Sequence, residues 1–546
     1  MRAAISISQR AATRTEDAKT TKICRAVAAA GKWIARIRAP SASRSRGGAA
    51  AGDLKPIEYV KICSIYGAGF FYIPGTDTCI KIGGWVRAEY AIGETGNSHA
   101  QQTSGGAARN NRIDSSDSRF RSRTVLSLDV RTQTEYGTVR AYNRFGFTQD
   151  TSHTSTGVLY TERAFIQIAG FTFGKTQSYF DFVGGAMCYG CGYGGHLSQT
   201  GAGGTVVFAY SATLGNGLTA TIAAEDGTAR RTAIWDASND ATNALVIGAN
   251  PGPAAQGPDA GTIGGAPTGD YAAHSIPDIV GSLRIDQAWG SAQVSAAIHE
   301  VRGGWYGHNF TGAGANGTPF AAPSDSYGFA VDAGVIVNLP WAKGDRFYVE
   351  GAYSEGAPSY VGWTGGVQGG YSHFGRFSGG NVAAAWAFDS IFGNLAATGG
   401  ATGHQLTTAW TIGAGIEHYW TPALRSSVFG NYSVIDYNGT ATTLFCASPQ
   451  SPIRTAAGVA PTGAAALPGC NPDFNVWNVG TRTIWNPVPN LDVGLEVMYT
   501  KIETKHDPNL TRFNFAGGGG RAVGLYAPSS EGVVSALFRI QRNFWP

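Results

Sequence analysis

The chain has 546 residues, of which 77 are glycine, 11% are aromatic and only 14% are charged, whereas average usage is about 7% glycine and 25% charged residues. The 13 Trp, 23 Tyr and 26 Phe residues exclude intrinsic disorder, because so many aromatic side chains require burial, and no stretch has the composition of a membrane-spanning helix of about 20 residues. The net charge of +4 comes from scattered residues and excludes the basic stripe that nucleic-acid-binding proteins carry.

The first 51 residues differ in composition from the rest of the chain. They are rich in Arg and Lys and contain almost no acidic residues. Their best apolar stretch, 26–31, is shorter than the roughly 7–15 residues of a secretory signal core, although the small residues before Gly52 resemble a cleavage site. We predict a basic N-terminal segment over 1–51, which is an atypical or misassigned signal region or else a disordered extension, and a main domain over 52–546.

From Gly75 onward the apolar residues recur with a period of two, which is typical of β-strands. In 80–90, for example, Ile82 and Val86 face one way while Arg87 and Glu89 face the other. The same alternation occurs in 121–131, 138–147, 491–500 and 534–543. The charged residues on the polar faces of the first three segments include Arg87, Glu89, Arg121, Arg123, Asp129, Arg131, Arg140 and Arg144.

This alternation fits either a soluble β-sandwich or a membrane barrel. In a sandwich the apolar face is the core, whereas in an outer-membrane barrel the apolar face meets lipid and the polar face lines a watery lumen. The segments are about ten residues long, which is enough for a tilted strand to cross a bilayer. Aromatic residues cluster at their ends, where the girdles of a membrane barrel lie. We therefore predict an all-β fold, a transmembrane antiparallel β-barrel.

The lengths of the connections predict how many strands the barrel has. The short connections are 134–138, 169–170, 214–217, 288–290, 339–344, 420–422 and 486–490. The long connections are 91–120, 148–159, 177–204, 227–277, 302–326, 356–405, 434–474 and 502–531. This alternation gives about 16 strands, with every short turn on one side of the membrane. The apolar segment 381–401 is assigned to a loop, and 18 strands are the alternative if it forms a hairpin.

Several segments of the chain resemble the alphaproteobacterial general porins. The signature VKICSIYGAGFFYIPGTDTCIKIGGWVRA lies at 60–88, and RSRTVLSLDVRTQTEYGTVRAY and AGFTFGKTQSYFDF follow at 121–142 and 169–182. Further matches are EHYWTP, WNPVPNLDVGLEVMYT and the terminal FRIQRNFWP. The resemblance covers roughly 57–546, and the chain departs from the family pattern in its lack of a signal core and in two large loops rich in Gly and Ala, 227–277 and 434–474.

The resemblance implies the setting and the function of the barrel. We expect a homotrimer in the lipid of the bacterial outer membrane, through which small hydrophilic solutes and ions diffuse passively. No cofactor, metal or nucleic-acid partner is implied. The alternatives on the same barrel are a substrate-specific gated channel and a surface adhesin that acts through its large loops.

The resemblance also implies that segment 177–204 folds inward and narrows the channel. The segment is rich in glycine and poor in charge, so its backbone can pack closely against the barrel wall. We expect its carboxylate, Asp181, to face the lumen opposite Arg87, Arg123 and Arg144, which would create a field across the constriction.

The candidate pore-lining residues are therefore Arg87, Glu89, Arg123, Asp129, Arg140, Arg144 and Asp181. The alternative for Arg123 and Arg144 is a structural one, in which each only forms a cross-strand ion pair. The partners would then be Glu89, Asp129 or Glu162.

Apart from Cys24, the cysteines fall in three local pairs: Cys63 with Cys79, Cys188 with Cys191, and Cys446 with Cys470. An even number in an exported protein favours disulfides, although six cysteines allow fifteen connectivities. We expect the first pair to join the N-terminal segment to the first strand and the last pair to hold a long loop. A zinc site could include Cys188, Cys191 and His196, but no second pair of Cys or His residues follows to complete four ligands.

The sequence contains no motif of a known enzyme class. A G-x-S-x-G elbow, an H-E-x-x-H pair, a P-loop and a kinase signature are all absent from it. His299-Glu300 and Glu417-His418 are neighbours on alternating strands, so the two members of each pair face opposite sides and cannot share a site. We therefore predict a channel and not an enzyme.

Overall fold

A computed structural model of the chain describes residues 63–92, 101–102, 118–150, 158–184, 187–189, 197–201, 203–238, 271–272, 275–306, 321–363, 372–515 and 523–544. The N-terminal segment 1–51, with Cys24 and the start at residue 52, lies outside these residues, so the division into two units stays a prediction. The described residues are almost entirely β-structure. No helix among them has the length and apolar character needed to cross a bilayer.

The barrel is closed and has sixteen strands, as the alternation of short and long connections predicts. The strands are β1 (Cys79–Ile92), β2 (Ser118–Thr134), β3 (Gly137–Asp150), β4 (Val158–Ile168), β5 (Phe171–Thr176), β6 (Thr205–Gly215), β7 (Leu218–Glu225), β8 (Asp278–Gln287), β9 (Gly290–Val301), β10 (Ser326–Asn338), β11 (Arg346–Glu355), β12 (Thr408–Thr421), β13 (Leu424–Asp436), β14 (Phe474–Trp485), β15 (Leu491–Thr504) and β16 (Glu531–Asn543). Neighbouring strands are antiparallel, and β1 pairs with β16 from Trp85 opposite Asn543 to Ile92 opposite Ala536.

The period of two in the sequence is the inside–outside alternation of the barrel wall. On β1, Ile82 and Val86 face outward and are 43% and 48% exposed, whereas Trp85 and Glu89 face inward and are each 4% exposed. Large apolar side chains therefore cover the outside, as contact with lipid requires, and polar side chains are collected inside. This is the arrangement that the sequence predicts for 80–90 and for the segments like it.

The short turns lie together at one end of the barrel, which we call the short-turn end, and the long connections lie at the other. The turn after β4 consists of Ala169 and Gly170, whose φ angles are 49° and 87°. Asn216 and Gly217 after β6 also have positive φ angles, 50° and 75°. Positive φ at both central residues is the type I′ geometry, which matches the twist of the strands that it joins.

The segment before β1 and the long connections contain further elements of secondary structure. The strands outside the barrel wall are Phe71–Tyr72, Gln101–Gln102, Ala233–Asp236, Ser372–Ser378, Asn381–Leu395, Gly400–Leu406, Ile453–Thr455, Thr511–Phe515 and Gly524–Pro528. The 3-10 helices are Ser64–Tyr66, Gly227–Arg230, Pro358–Val361 and Ala396–Thr398, and the α-helix is Gly439–Ala447.

The apolar segment 381–401 lies inside the long connection between β11 and β12 and leaves the strand number at sixteen. Most of it is the strand Asn381–Leu395, which pairs antiparallel with Ser372–Ser378 and Gly400–Leu406. The segment therefore forms hairpins, but they do not belong to the barrel wall. Its run of apolar residues reflects burial on both faces, which removes the alternation of a wall strand.

This strand forms the centre of the largest hydrophobic cluster of the described residues. Trp386 and Phe388 of the strand pack there with Trp235, Phe445 and Phe513 from other long connections. The inward-facing members of the cluster on β11–β16 are Ala352, Ala409, Ile435, Phe474, Val476, Ile502 and Val533. We call the described parts of 226–238, 356–407, 437–473 and 505–530 the cap, because they share one core with the inner face of β11–β16.

Two disulfides are present at the expected positions. Cys63–Cys79, with Cα atoms 6.0 Å apart, joins the segment before the barrel to the first residue of β1. Cys446–Cys470, with Cα atoms 5.7 Å apart, joins the α-helix of the cap to a later part of the same connection. Cys188 is also disulfide-bonded, while Cys191 and His196 lie outside the described residues.

Burial in the cap lowers the pKa of two histidines. His506 lies between the rings of Phe445 and Phe513, with centroids 6.2 Å and 5.1 Å away, and its Nδ1 accepts a hydrogen bond from the Asn471 N–H. Burial lowers the pKa of His506 to about 3 and that of His404 to about 4. Both imidazoles are therefore neutral near pH 7.

We predict that the cap loosens on acidification. Because the folded pKa of His506 lies below its unfolded value of about 6.5, its contribution to stability is complete above that pH and is lost as the pH falls toward 3. At pH 5 this loss amounts to about 2 kcal/mol. Hydrogen exchange of the 437–473 amides, corrected for the intrinsic rate, should show more frequent opening at pH 5 than at pH 7.

A pair of variants tests whether His506 causes this response. His506→Asn keeps an acceptor for the Asn471 N–H and should reduce the difference between the two pH values. His418→Asn is the control, because His418 lies at the short-turn end, where its Nδ1 contacts Asp345 at 2.6 Å. An equal response of both variants would contradict the prediction.

Candidate functional site

Segment 177–204 folds into the barrel, as expected. Phe180 packs in a cluster with inward-facing residues of β6–β10, and Phe182, Met187 and Leu197 pack with Tyr348 of β11. A further cluster joins Cys188 to Phe429 of β13 and Met498 of β15. The segment therefore covers the inner faces of β6–β15, and we call its described residues the inner loop.

Glycines of the wall, and not only those of the loop, allow this close approach. A Cβ atom on Gly334 of β10 would lie 2.7 Å from the ring of Phe182, and one on Gly494 of β15 would lie 2.1 Å from the hydroxyl of Tyr189. Both distances are shorter than carbon contacts allow, so the two glycines are needed where large loop side chains meet the wall. The composition of the loop predicts only the loop's own glycines for this role.

Carboxylates of the wall accept hydrogen bonds from the backbone of the inner loop. The Tyr179 N–H donates to Glu225 of β7 at 2.9 Å and the Val183 N–H donates to Glu350 of β11 at 2.7 Å. The Tyr189 N–H donates to Glu496 of β15. The alternation of the strands places these glutamates inside, but no local feature of the sequence predicts that they accept hydrogen bonds from a loop.

Asp181 does not face the lumen, and the prediction that it does was wrong. Its side chain is fully buried and forms an ion pair with the equally buried Arg230, and it also accepts hydrogen bonds from Ser198 and from the N–H and hydroxyl of Thr200. A buried guanidinium without a partner is strongly unfavourable, so Asp181 is turned toward Arg230. The two residues are 49 positions apart, and no local pattern relates them.

The opposite part of the inner wall, on β16 and β1–β4, is rich in arginine. Its described inward-facing arginines are Arg87, Arg121, Arg123, Arg131, Arg140, Arg144, Arg163 and Arg539. The carboxylates among its described inward-facing side chains are Glu89, Asp129 and Glu162, together with Glu531 at the start of β16. We call this surface the basic wall, because positive charge exceeds negative charge on it.

Most of the predicted pore-lining residues meet on the basic wall. Asp129 binds Arg131 and Arg140, each through two hydrogen bonds of 2.9–3.0 Å. Arg144 contacts Glu162 at 2.7 Å, which is the structural alternative that the sequence analysis left open for it. A β-bulge between β3 and β4 turns Glu162 inward next to Arg163.

Glu89, Arg87 and Arg123 lie on adjacent strands of the same wall. The carboxylate of Glu89 accepts hydrogen bonds from Arg121 and Arg539 and lies 3.7 Å from Arg87. Arg123 donates to the hydroxyl of Thr148 and has no carboxylate within ion-pair distance among the described residues. The structural alternative therefore does not account for Arg123.

No group of three or more His, Cys, Asp or Glu residues in the described parts of the chain has the geometry of a metal site. Arginines outnumber carboxylates on the basic wall, whereas buried charged groups of both signs lie on the rest of the inner wall, for example Asp278, Glu300 and Arg482. The excess of arginine on one wall is suited to acting on the charge of a passing solute.

The family model described as the porin subfamily matches residues 50–518. The porin Omp2b of Brucella suis biovar 1 is 28% identical to the chain over 282 residues, which are 50% of this chain and 65% of that protein. A putative outer membrane protein of Sinorhizobium fredii is 30% identical over 146 residues, which are 27% of this chain and 40% of that protein. The aligned part of the chain therefore spans less than two thirds of these relatives.

Among solved structures, the chain is similar to the outer membrane channel DcaP of Acinetobacter baumannii. The TM-score is 0.52, the sequence identity is 14%, and the similarity covers 87% of this chain and 99% of that one. At this identity the likeness concerns the fold alone.

We predict that Asp181→Ala loosens the inner loop. The substitution leaves Arg230 buried without its carboxylate, at a cost of about 3–5 kcal/mol, and single-channel recordings should show a larger and noisier current. Asp286→Ala is the control, because Asp286 pairs with Arg284 in an exposed ion pair of the barrel, and such pairs contribute at most about 1 kcal/mol. A current of unchanged size and noise in Asp181→Ala would contradict the anchoring role.

Proposed function

This chain belongs to the porin subfamily, and we propose that its barrel is a passive channel of the outer membrane for small hydrophilic solutes and ions, with a preference for anions. Membership of the family favours a channel over an enzyme and over the alternatives of a gated, substrate-specific channel or an adhesin. The observation that carries the proposed preference is the excess of arginine on the basic wall.

The distribution of the filled and charged surfaces supports a path along one side of the barrel. The inner loop covers β6–β15, and the cap adds an apolar core against β11–β16. The basic wall on β16 and β1–β4 borders this filled side, where Arg539 stacks on Tyr189 and Arg163 donates to the Gly201 carbonyl oxygen. A hydrated solute avoids apolar surface and is drawn toward fixed charges of opposite sign, so the proposed path follows the arginines.

Fixed guanidinium groups select among ions without any input of energy. An anion near the basic wall gains Coulomb energy that offsets part of the hydration it loses, whereas a cation is repelled. Salt weakens this effect, because the Debye length falls from about 30 Å at 0.01 M to about 10 Å at 0.1 M. The preference for anions should therefore be strongest in dilute salt.

We also propose that the barrels form a homotrimer. The outward face of β2–β4 carries exposed polar side chains among its apolar residues, namely Ser122, Thr124, Asn143 and Thr161. Hydroxyl and amide groups in contact with hydrocarbon are unfavourable unless they find partners. A second copy of the barrel can supply these partners, and this supports contact between subunits at β2–β4.

We predict that planar bilayers holding residues 52–546 under a gradient of KCl show a reversal potential whose sign indicates a higher permeability for chloride than for potassium. Arg131→Gln removes one positive charge from the basic wall and should move the reversal potential toward zero. Arg512→Gln removes the same charge from a strand of the cap and should change it less. A cationic reversal potential in the unmodified protein would contradict the proposed preference, and the absence of any current from folded protein would contradict the channel.

We predict that Ala141→Trp separates the trimer, because a bulky ring next to Asn143 keeps the outward faces of β2–β4 apart. Ala296→Trp on β9 is the matched control, since Ala296 is also an exposed outward-facing alanine but lies far around the barrel. Electrophoresis of unheated samples should show monomers for the first variant and trimers for the second. Trimers in both would contradict the assignment of the interface.

A further inference from the structure

Three pairs of arginines lie directly opposite each other on neighbouring strands of the basic wall. Arg131 is opposite Arg140 across β2 and β3, and Arg144 is opposite Arg163 across β3 and β4. The third pair is Arg87 opposite Arg123, across β1 and β2. Like charges directly opposite in a sheet repel each other, so each pair requires a source of negative charge.

Carboxylates of the chain supply that charge for two of the pairs. Asp129 lies between Arg131 and Arg140 and accepts two hydrogen bonds from each guanidinium. Glu162 contacts Arg144 and adjoins Arg163 in the sequence. Asp129 thus bridges the first pair, whereas in the second pair Glu162 binds Arg144 and Arg163 donates to the backbone carbonyls of Glu162 and Gly201.

The carboxylate nearest to the third pair is already engaged by other arginines. One oxygen of Glu89 accepts from Arg539 and the other accepts from Arg121, whereas the nearest nitrogen of Arg87 is 3.7 Å away. One carboxylate is thus shared by three guanidinium groups, and Arg123 adds a fourth positive charge beside them. Among the side chains that the structure describes, Glu89 is the carboxylate within ion-pair distance of these guanidinium groups, so positive charge exceeds negative charge in the cluster.

Arg87 and Arg123 are held in fixed orientations by contacts that do not involve their terminal nitrogens. The Nε of Arg87 donates to Gln541 at 2.8 Å, and its guanidinium lies 4.1 Å from the Trp85 ring. The Nε of Arg123 donates to Thr148 at 3.0 Å. Within the described part of the chain, the terminal nitrogens of both side chains have no hydrogen-bond acceptor, although a guanidinium carries five N–H donors.

We infer that Arg87 and Arg123 form a binding subsite for a small oxyanion of two or more negative charges, such as a phosphate or a dicarboxylate. The ligand takes the place that Asp129 takes between Arg131 and Arg140. Guanidinium groups match the oxygens of such anions because they donate two parallel hydrogen bonds each. This inference rests on the proposed function and names the class of solute that binds inside the channel during its passage.

The test is the effect of inorganic phosphate on the chloride current through the unmodified protein. The current in KCl at pH 7.5 is recorded while phosphate is added at constant ionic strength. We expect a block that saturates, which defines a half-blocking concentration. A current that changes only in proportion to the bulk ion composition, with no saturation, would overturn the subsite.

Substitutions locate the block. Arg87→Gln and Arg123→Gln should each raise the half-blocking concentration about tenfold or more, since hydrogen bonds to charged groups are among the strong ones. Arg123→Lys keeps the positive charge but cannot donate two parallel hydrogen bonds, so it should also raise the half-blocking concentration. Arg131→Gln is the matched control, because it removes the same charge from a pair that Asp129 already bridges, and the half-blocking concentration should change less than about twofold.

Two readouts separate the subsite from the proposed function. Equal weakening of the block by Arg131→Gln and Arg123→Gln would indicate a general field of the wall and would overturn the subsite. An anionic reversal potential without a saturable block would overturn the subsite and leave the anion preference in place. Heat-modifiable mobility on gels shows that each variant is folded before it is compared.

Discussion

The closure of the sheet on itself is the constraint on which the rest of the structure depends. In a bilayer every backbone N–H and C=O needs a partner within the protein, and a sheet has no unpaired edge only when its first and last strands meet. Here β1 and β16 meet over Trp85–Ile92 and Ala536–Asn543. Because the outside then faces lipid, the charged side chains of the strands are directed inward, and the interior has to accommodate them.

The interior accommodates its charges in two different ways. On the side covered by the inner loop, carboxylates such as Glu225 and Glu350 accept hydrogen bonds from loop backbone, and Asp181 neutralises Arg230. Burial makes these contacts obligatory, since a charge without a partner is costly away from water. On the basic wall shared carboxylates neutralise part of the charge of the arginines, and an excess of positive charge remains.

This division gives the proposed channel its character. The filled side narrows the path and presents apolar clusters and buried polar groups, whereas the basic wall presents an excess of fixed positive charge. The same motif, two arginines opposite each other on adjacent strands, occurs with a carboxylate that binds both guanidinium groups at Asp129, whereas at Arg87 and Arg123 the described carboxylate, Glu89, lies within ion-pair distance of Arg87 alone. The first case stabilises the wall, and the second provides the proposed place for an anion in transit.

The sequence by itself determined the barrel, its sixteen strands and the residues that face inward. These features depend on a period of two and on turn lengths, which are local properties of the chain. The tertiary structure alone decided the partners of those inward residues. Asp181 meets Arg230, Tyr189 meets Gly494, and the strand Asn381–Leu395 joins the cap and not the wall. Such contacts join residues far apart in the chain, and their energy comes from burial, which no local pattern of residues specifies.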